Sequence, residues 1–82
     1  MTVHRLKTNP LYFIAAQKGM KTFEIRENDR NYQIGDVFIS MEYDSLSNTY
    51  TGNELRGSIS YITDYMQQPG YVVLGIWWDN NL

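Results

Sequence analysis

The first residues of the chain alternate in a way that is typical of a short strand. Residues 3–7 are β-prone, and a period of two places His4 and Leu6 on one face and Val3 and Arg5 on the other. His4 is the single histidine of the chain. A structural hydrogen bond is the favoured role for it, and a place in a binding cleft is the alternative.

The next segment carries the signals that begin and end a helix. Asn9 is placed to cap it, and Pro10 suits the first helical position because its missing N–H has no helical partner there. About two turns follow as far as Lys18, and Gly19 is placed to end them in a left-handed conformation. The apolar spacing predicts that the face packed on a sheet is formed by Leu11, Ile14 and Ala15.

After the helix the pattern changes to a period of two. Phe23 and Ile25 then point to one face, and we expect them to lie in the core. Thr22, Glu24 and Arg26 point to the other face. This arrangement predicts an ordered polar row along the outside of a strand.

The remaining strands are marked by apolar runs between polar turns. Residues 37–43 form a strongly apolar strand, typical of a central position, and residues 44–53 are rich in Ser, Asn and Thr and predict a hairpin tip. A strand over residues 55–63 places Ile59, Tyr61 and Thr63 on one side. Gly57 within it is a candidate for a bulge or a close backbone approach.

The last apolar run, residues 70–78, predicts a buried strand. Its adjacent Trp77 and Trp78 must point to opposite faces, so one of them lies outside the core. Core filling is the favoured role for Phe38, Tyr71 and one of these tryptophans. The alternative is base stacking, because readers of single-stranded RNA stack bases on exposed rings.

Composition limits the chemistry that the chain can carry. The 82 residues predict a single domain over residues 1–82. The count of zero Cys excludes a disulfide framework or thiolate metal site, and one His argues against a His-based metal site, so neither metal nor cofactor is expected. A missing signal peptide and the lack of an apolar membrane span predict a cytoplasmic protein. The oligomeric state is left open.

Charge is distributed unevenly along the chain. The overall net charge of −2 argues against a general nucleic-acid coat. Residues 1–30 carry a net +3, however, whereas residues 31–82 carry a net −5. This asymmetry is compatible with a local cationic site for a polyanion, and also with chance variation in a short chain.

The most informative stretch is residues 19–26, which places Lys21, Thr22, Glu24 and Arg26 directly after the helix stop. The nearby Lys and Arg would favour the ionised form of Glu24, and Glu24 would orient Arg26. One interpretation is a pocket that recognises a phosphate or a polar base edge. The other is a solvated strand face with alternating charges.

The same stretch, read as G-x-K-T-x-E-x-R and followed by Gly35-Asp36, resembles the ASCH domain of the PUA-like superfamily. The wider pattern is closer still to the DUF3850 group of bacterial and phage proteins. The further matching segments are His4, Leu6 and Lys7, Pro10 with Tyr12-Phe13, the run over residues 21–30, Glu42-Tyr43, residues 50–52 and residues 70–74.

The resemblance implies an α+β, mainly β fold. It is a small PUA-like β-barrel of about five to six strands with one N-terminal helix across an opening. It also implies a cleft beside that helix and the recognition of RNA or a nucleotide-like ligand. Lys21, Glu24 and Arg26 are carried over from the motif, and residues 28–30 only from the DUF3850-like run.

The leading hypothesis is therefore an RNA- or nucleotide-binding module. Its cationic side chains would contact phosphate, and Glu24 and Thr22 would recognise a base or sugar edge. The predicted ligand-binding residues are Lys7, Lys21, Thr22, Glu24, Arg26, Asn28, Asp29 and Arg30.

Two other functions are kept open. The first is a metal-independent hydrolase of RNA or a modified nucleoside, with Lys21 and Glu24 as the catalytic pair. Some ASCH relatives deacylate N4-acetylcytidine and resemble the chain at Lys21, Thr22 and Arg26, but their nucleophilic Thr is replaced by Glu24. The second is a non-catalytic interaction protein of a phage or mobile element, in which Glu24, Arg26 and Arg30 form a structural ion-pair network.

Overall fold

The computed structural model describes residues 1–79 of the chain as one curled sheet and one short helix; residues 80–82 of the predicted domain lie outside the described part. The elements in chain order are β1 (Val3–Thr8), α1 (Pro10–Gln17), β2 (Phe23–Glu27), β3 (Val37–Asp44), β4 (Thr49–Thr63) and β5 (Tyr71–Trp78). The predicted α+β, mainly β class with about five strands is confirmed.

The sheet places the first two strands at its opposite edges. Its strand order is β1-β3-β4-β5-β2, in which β1 runs parallel to β3 and the other pairs are antiparallel. The sheet curls far enough that the Arg26 side chain of β2 reaches the backbone of β1. The result is a half-barrel whose open side lies between β1 and β2, and we call this open side the seam.

The helix begins and ends where the sequence predicts, but it packs on a different face. The Asn9 side chain accepts a hydrogen bond from the backbone N–H of Leu11 at 2.9 Å, and Gly19 has φ 76°. The residues buried against the sheet are Phe13 and Ala16, whereas Leu11 and Ile14 are exposed. The prediction of the face was wrong because this short helix is apolar around most of its circumference, so periodicity singles out no stripe.

The core lies on the concave side of the sheet. Phe38 and Trp78 pack edge to face with ring centroids 6.0 Å apart. The buried cluster around them consists of Leu6, Ala16, Tyr32, Ile59, Val72, Leu74 and Ile76. Trp77 lies outside, as the adjacent pair of tryptophans requires, but Tyr71 is also exposed and does not fill the core.

Strand β2 faces the opposite way from the prediction. Phe23 and Ile25 are 43% and 54% exposed, whereas Glu24 is only 3% exposed. The register explains this, because Glu24 lies opposite Leu74, a fully buried residue of β5. Residues that are directly opposite in a sheet share a face, so pairing with Leu74 turns Glu24 inward.

Strand β4 is longer than predicted and contains an irregularity. It begins at Thr49, so only residues 45–48 form the hairpin tip. The register against β5 shifts between Ile59 and Tyr61. Ile59 is therefore buried and Tyr61 is 64% exposed, although a regular strand would place both on one face.

Gly57 provides the predicted close backbone approach. A Cβ at this position would lie 2.5 Å from the Trp77 carbonyl oxygen and 3.0 Å from the Trp78 ring. Glycine is required here because β4 and the Trp78 side chain cross without room for a methyl group.

Candidate functional site

Side chains bridge the seam where backbone pairing stops. Arg26 on β2 donates from Nη2 to the carbonyl oxygen of Lys7 at 2.9 Å and to Thr8 Oγ1 at 3.3 Å, both on β1. Its guanidinium also lies over the Phe38 ring, with Cζ 5.8 Å from the centroid. Arg26 thus connects the two edge strands and rests on the core.

Glu24 lies inside the seam between two cations. Its Oε1 accepts from Arg26 Nη2 at 3.0 Å and from Arg26 Nε at 3.3 Å, and its Oε2 accepts from Lys21 Nζ at 3.0 Å. The burial of a carboxylate is costly unless charged partners satisfy it. Lys21 and Arg26 satisfy this one, and the three groups together carry one net positive charge.

A pair of buried hydroxyl groups supports Arg26 from the core. Ser40 on β3 donates from Oγ to Thr8 Oγ1 at 2.6 Å, and Thr8 Oγ1 also accepts from Arg26. Both hydroxyl-bearing residues are buried. The guanidinium is therefore held in a fixed position by acceptors from β1 and β2.

An open cleft of about 460 Å³ lies over this cluster, between the seam and the start of α1. The Tyr12 and Phe23 rings form its walls, and Lys21 Nζ lies 5.5 Å and 5.0 Å from their centroids. Lys7 also lines the cleft on the β1 side, but its Nζ lies 4.6 Å from the centroid of the Tyr43 ring, which is not part of the cleft lining. The cleft therefore combines aromatic walls with a cationic floor.

The cations at the floor keep donors that the described residues leave unused. Lys21 Nζ donates to the Phe23 carbonyl oxygen at 2.7 Å and to Glu24, so two of the three N–H groups of an ammonium are engaged. Within residues 1–79 the hydrogen bonds of Arg26 involve Nε and Nη2 and leave Nη1 without an acceptor. These donors can serve an anionic ligand.

The structure brings together four of the predicted ligand-binding residues and separates the others from them. Lys7, Lys21, Glu24 and Arg26 line the cleft. Asp29 and Arg30 line a smaller depression on the other side of Arg26, and their side chains lie 3.9 Å apart at the surface.

Asn28 and Thr22 do not line the cleft. The backbone N–H of Asn28 donates to the Gly70 carbonyl oxygen at 2.8 Å, which fixes the turn after β2. Thr22 lies against Ser60 and Trp77 at a separate depression. The expected polar row is therefore divided, with Glu24 and Arg26 inside the seam and Thr22 outside it.

Sequence reasoning missed five of the residues that line the cleft, namely Thr8, Asn9, Tyr12, Phe23 and Ile25. Tyr12 and Phe23 form its walls, and Thr8 supports Arg26. Tyr12 was available as a signal, because it belongs to a segment that resembles DUF3850. Thr8 carries no local signal, since only the parallel pairing of β1 with β3 brings it to Ser40.

His4 lies outside the cleft and has the structural role that the sequence favours. Its Nε2 lies 2.9 Å from Asp36 Oδ2, and its ring lies 4.7 Å from the Tyr32 ring. Asp36 also accepts from the backbone N–H groups of Thr2 at 3.2 Å and Gln33 at 3.1 Å. The hydrogen bond to His4, helped by those from the backbone, holds the pKa of Asp36 below its ordinary value.

Residues 1–79 contain neither a cluster of metal ligands nor a membrane-spanning helix. Among residues 1–79, three or more His, Asp or Glu side chains nowhere converge as a set of metal ligands. The helix in this part of the chain is too short to cross a lipid bilayer.

Two comparisons place the chain among known proteins. The family described as "Domain of unknown function (DUF3850)" matches residues 3–76. A protein of Escherichia phage P2, named "Uncharacterized 12.9 kDa protein in GpA 3'region", is 34% identical over 62 residues. That alignment covers 76% of this chain and 55% of the phage protein, so the chain spans about half the length of this curated relative. The wider relation to ASCH and PUA-like domains stays a prediction, and the chain belongs to the DUF3850 family.

Proposed function

We propose that the cleft binds a nucleotide, either free or as one unit of an RNA strand. The observation that carries the proposal is the buried Glu24 carboxylate between Lys21 and Arg26, which fixes both cations beneath an open cleft. A phosphate accepts charge-assisted hydrogen bonds from the free donors of these two side chains.

The walls of the cleft suit the other half of a nucleotide. Tyr12 and Phe23 present apolar rings on either side of Lys21, and a planar base can stack against such rings. The volume of about 460 Å³ lies in the range of about 300–1,000 Å³ that is common for small-molecule sites. Shape and charge therefore both support a ligand that joins a phosphate to a ring.

The family relation supports this proposal only through the resemblance to ASCH domains, which implies RNA or nucleotide recognition. The phage relative is named as uncharacterised, so its name adds no ligand. The resemblance and the geometry point to one ligand class through the same residues, Lys21, Glu24 and Arg26.

The geometry favours binding over hydrolysis. A general base must reach the proton that it removes, and both oxygens of Glu24 are occupied by Lys21 and Arg26. Glu24 is also almost fully buried. Lys21 and Glu24 as a catalytic pair therefore stay a prediction from the sequence, and turnover of RNA by the wild type but not by Glu24→Gln would favour it.

A salt titration of ligand binding tests the proposal. We expect purified protein to bind mononucleotides and short RNAs, and binding to weaken between about 50 and 200 mM salt as phosphate contacts are screened. Lys21→Met should lower affinity about tenfold and reduce the salt dependence, because it removes a phosphate donor. Lys18→Met is the matched control, since Lys18 follows α1 and does not line the cleft.

The fold of each variant is checked by its urea midpoint before binding is compared. Arg26→Lys is a second variant, which keeps the charge but lacks the forked guanidinium that bridges the seam. The proposal is wrong if the wild type binds neither mononucleotides nor RNA, or if Lys21→Met and Lys18→Met bind with equal affinity.

A further inference from the structure

The outer face of the sheet carries a cluster of exposed rings around one glycine. On β5, Gly75 lies opposite Phe23 of β2 on one side and Tyr61 of β4 on the other. Trp77 is two residues further along the same face and is 73% exposed. We call this surface of Phe23, Tyr61, Gly75 and Trp77 the aromatic platform.

Gly75 gives the centre of the platform no side chain of its own. Neighbouring strands lie about 4.8 Å apart, so the Phe23 and Tyr61 backbones on either side of it are about 10 Å apart. A Cβ on Gly75 would lie 3.1 Å from Ser60 Oγ and 3.4 Å from Tyr61 Cβ. The glycine therefore leaves room for Ser60 Oγ and Tyr61 Cβ beside the β5 backbone, and the surface open to a planar group is that of the exposed rings.

A depression of about 360 Å³ adjoins the Trp77 ring. Thr22 and Ser60 line it and bring hydroxyl groups beside the indole. Within residues 1–79 neither hydroxyl group has a hydrogen-bond partner in the fold. An exposed ring beside two available hydroxyl groups matches a base, which offers a flat face for stacking and polar edges for hydrogen bonds.

The platform is continuous with the cleft through three consecutive residues. Lys21 faces the cleft, Thr22 faces the outer depression, and the Phe23 ring borders both the cleft and the platform. A strand of nucleotides that leaves the cleft past Phe23 therefore meets Trp77 next. Thr22, which does not belong to the cleft, has a place on this path.

We propose that the platform is a second subsite, where the base adjacent to the one in the cleft stacks on Trp77 in a single-stranded nucleic acid. The inference rests on the proposed function of the cleft and extends it from a nucleotide to a strand. Stacking on an exposed ring is tolerant of base identity, so the subsite adds affinity with little sequence preference.

The two subsites differ in charge, so variants of the two should differ in the salt dependence of binding. In the proposed site, Lys21 and Arg26 supply the phosphate contacts of the cleft. The platform side chains carry no charge, and the nearby Arg56 is paired with Asp79 at 3.4 Å. A platform variant should therefore lower the affinity for a strand and leave its salt dependence unchanged, whereas Lys21→Met changes both.

The experiment compares one mononucleotide with trinucleotides of RNA and of DNA on Trp77→Ala protein. We expect a loss of about tenfold or more in trinucleotide affinity for either sugar, and an unchanged mononucleotide affinity. Tyr65→Ala is the matched control, because Tyr65 is an exposed ring in the turn after β4. Both residues are exposed, so neither substitution should prevent folding.

Indole fluorescence adds a direct readout of stacking. The wild type contains an exposed Trp77 and a buried Trp78 whose Nε1 donates to the Lys21 carbonyl oxygen at 2.9 Å. A base stacked on Trp77 should quench its emission, so the trinucleotide should quench the wild type more than Trp77→Phe. The mononucleotide should quench the two proteins equally.

The outcomes separate the two proposals. If Lys21→Met weakens binding but Trp77→Ala binds the trinucleotide as tightly as the wild type, the platform proposal is overturned and the function of the cleft stands. If no nucleic acid binds the wild type, both are overturned. If Trp77→Ala changes only the sedimentation of the protein, the platform is a contact between copies of the chain, and the second subsite is rejected.

Discussion

The two carboxylates Glu24 and Asp36 are both buried, but they differ in the groups that donate hydrogen bonds to them. Asp36 accepts from two backbone N–H groups and from His4, whose ring lies against Tyr32. Glu24 is held instead by two side-chain cations beneath an open cleft. The Asp36 cluster therefore fixes the turn before β3, whereas the Glu24 cluster orders charge that a ligand can reach.

This difference distinguishes a buried acid that only stabilises the fold from one that also holds cationic side chains in a fixed position. In the first case two of the three donors are backbone N–H groups, and each of these has a single hydrogen to donate. In the second case the donors are long cationic side chains, and a guanidinium or ammonium has more N–H groups than one carboxylate uses. The unused donors, rather than the burial of the acid, are what support the proposed ligand site.

Removal of the Glu24 charge should have the largest effect on stability. Glu24→Gln leaves Lys21 and Arg26 without their counter-charge in the seam, and we expect the free energy of unfolding to fall by about 3 kcal/mol in urea titrations. Glu27→Gln, on the same strand but exposed, is the control and should stay within about 0.5 kcal/mol of the wild type. Equal midpoints for the two variants would show that the cluster is not a buried ionic pair.

Asp36→Asn should have the next largest effect, and its effect should depend on pH. The hydrogen bonds to the carboxylate stabilise its charged form, so their loss should cost about 2 kcal/mol at pH 7. Because the pKa of Asp36 is lowered in the folded state, this stability is present above the ordinary value of 3.8 and is lost as pH falls through the folded-state pKa.

Urea titrations of the wild type and Asp36→Asn between neutral pH and strongly acidic pH check this expectation. The stability difference between the two proteins should shrink as the solution becomes acidic. Asp64→Asn, at an exposed position, should give no such convergence with the wild type. A difference that stays constant down to the lowest pH would contradict the assignment.

Ser40→Ala should have the smallest effect on stability, and it tests how far the Thr8 hydroxyl group supports Arg26 at the seam. The variant removes the donor to Thr8 Oγ1 and should cost about 1 kcal/mol. Arg26 keeps its contacts with Lys7 and Glu24, so nucleotide affinity should change less than in Lys21→Met. Ser45→Ala in the exposed hairpin tip is the control, and a loss of affinity as large as that of Lys21→Met would show that Thr8 positions the cation.

Local signals predicted the elements of the fold better than their orientation. The cap at Asn9 and the stop at Gly19 are set by neighbouring residues, so the sequence contains all the information needed for them. The face of β2 depends on its pairing with β5, which is distant in sequence, and a period of two does not say which face is inside. The shift at Tyr61 reversed the expected side for the same reason.

The candidate site was predictable to the extent that it lies on one segment. Lys21, Glu24 and Arg26 are close in sequence, and the resemblance to ASCH domains draws attention to them together. Thr8 and Tyr12 come from β1 and α1, and the curl of the sheet brings them to β2. Such contacts follow from topology, which the spacing of residues along the chain does not encode.

The seam has a consequence for how this architecture can diversify. The ladders of β1-β3-β4-β5-β2 carry the fold through the main chain, whereas the join between β1 and β2 is made by side chains. Under the proposed function, substitutions along that join would alter what is recognised without removing an inter-strand backbone hydrogen bond. Scaffold and specificity would then rest on separate sets of atoms.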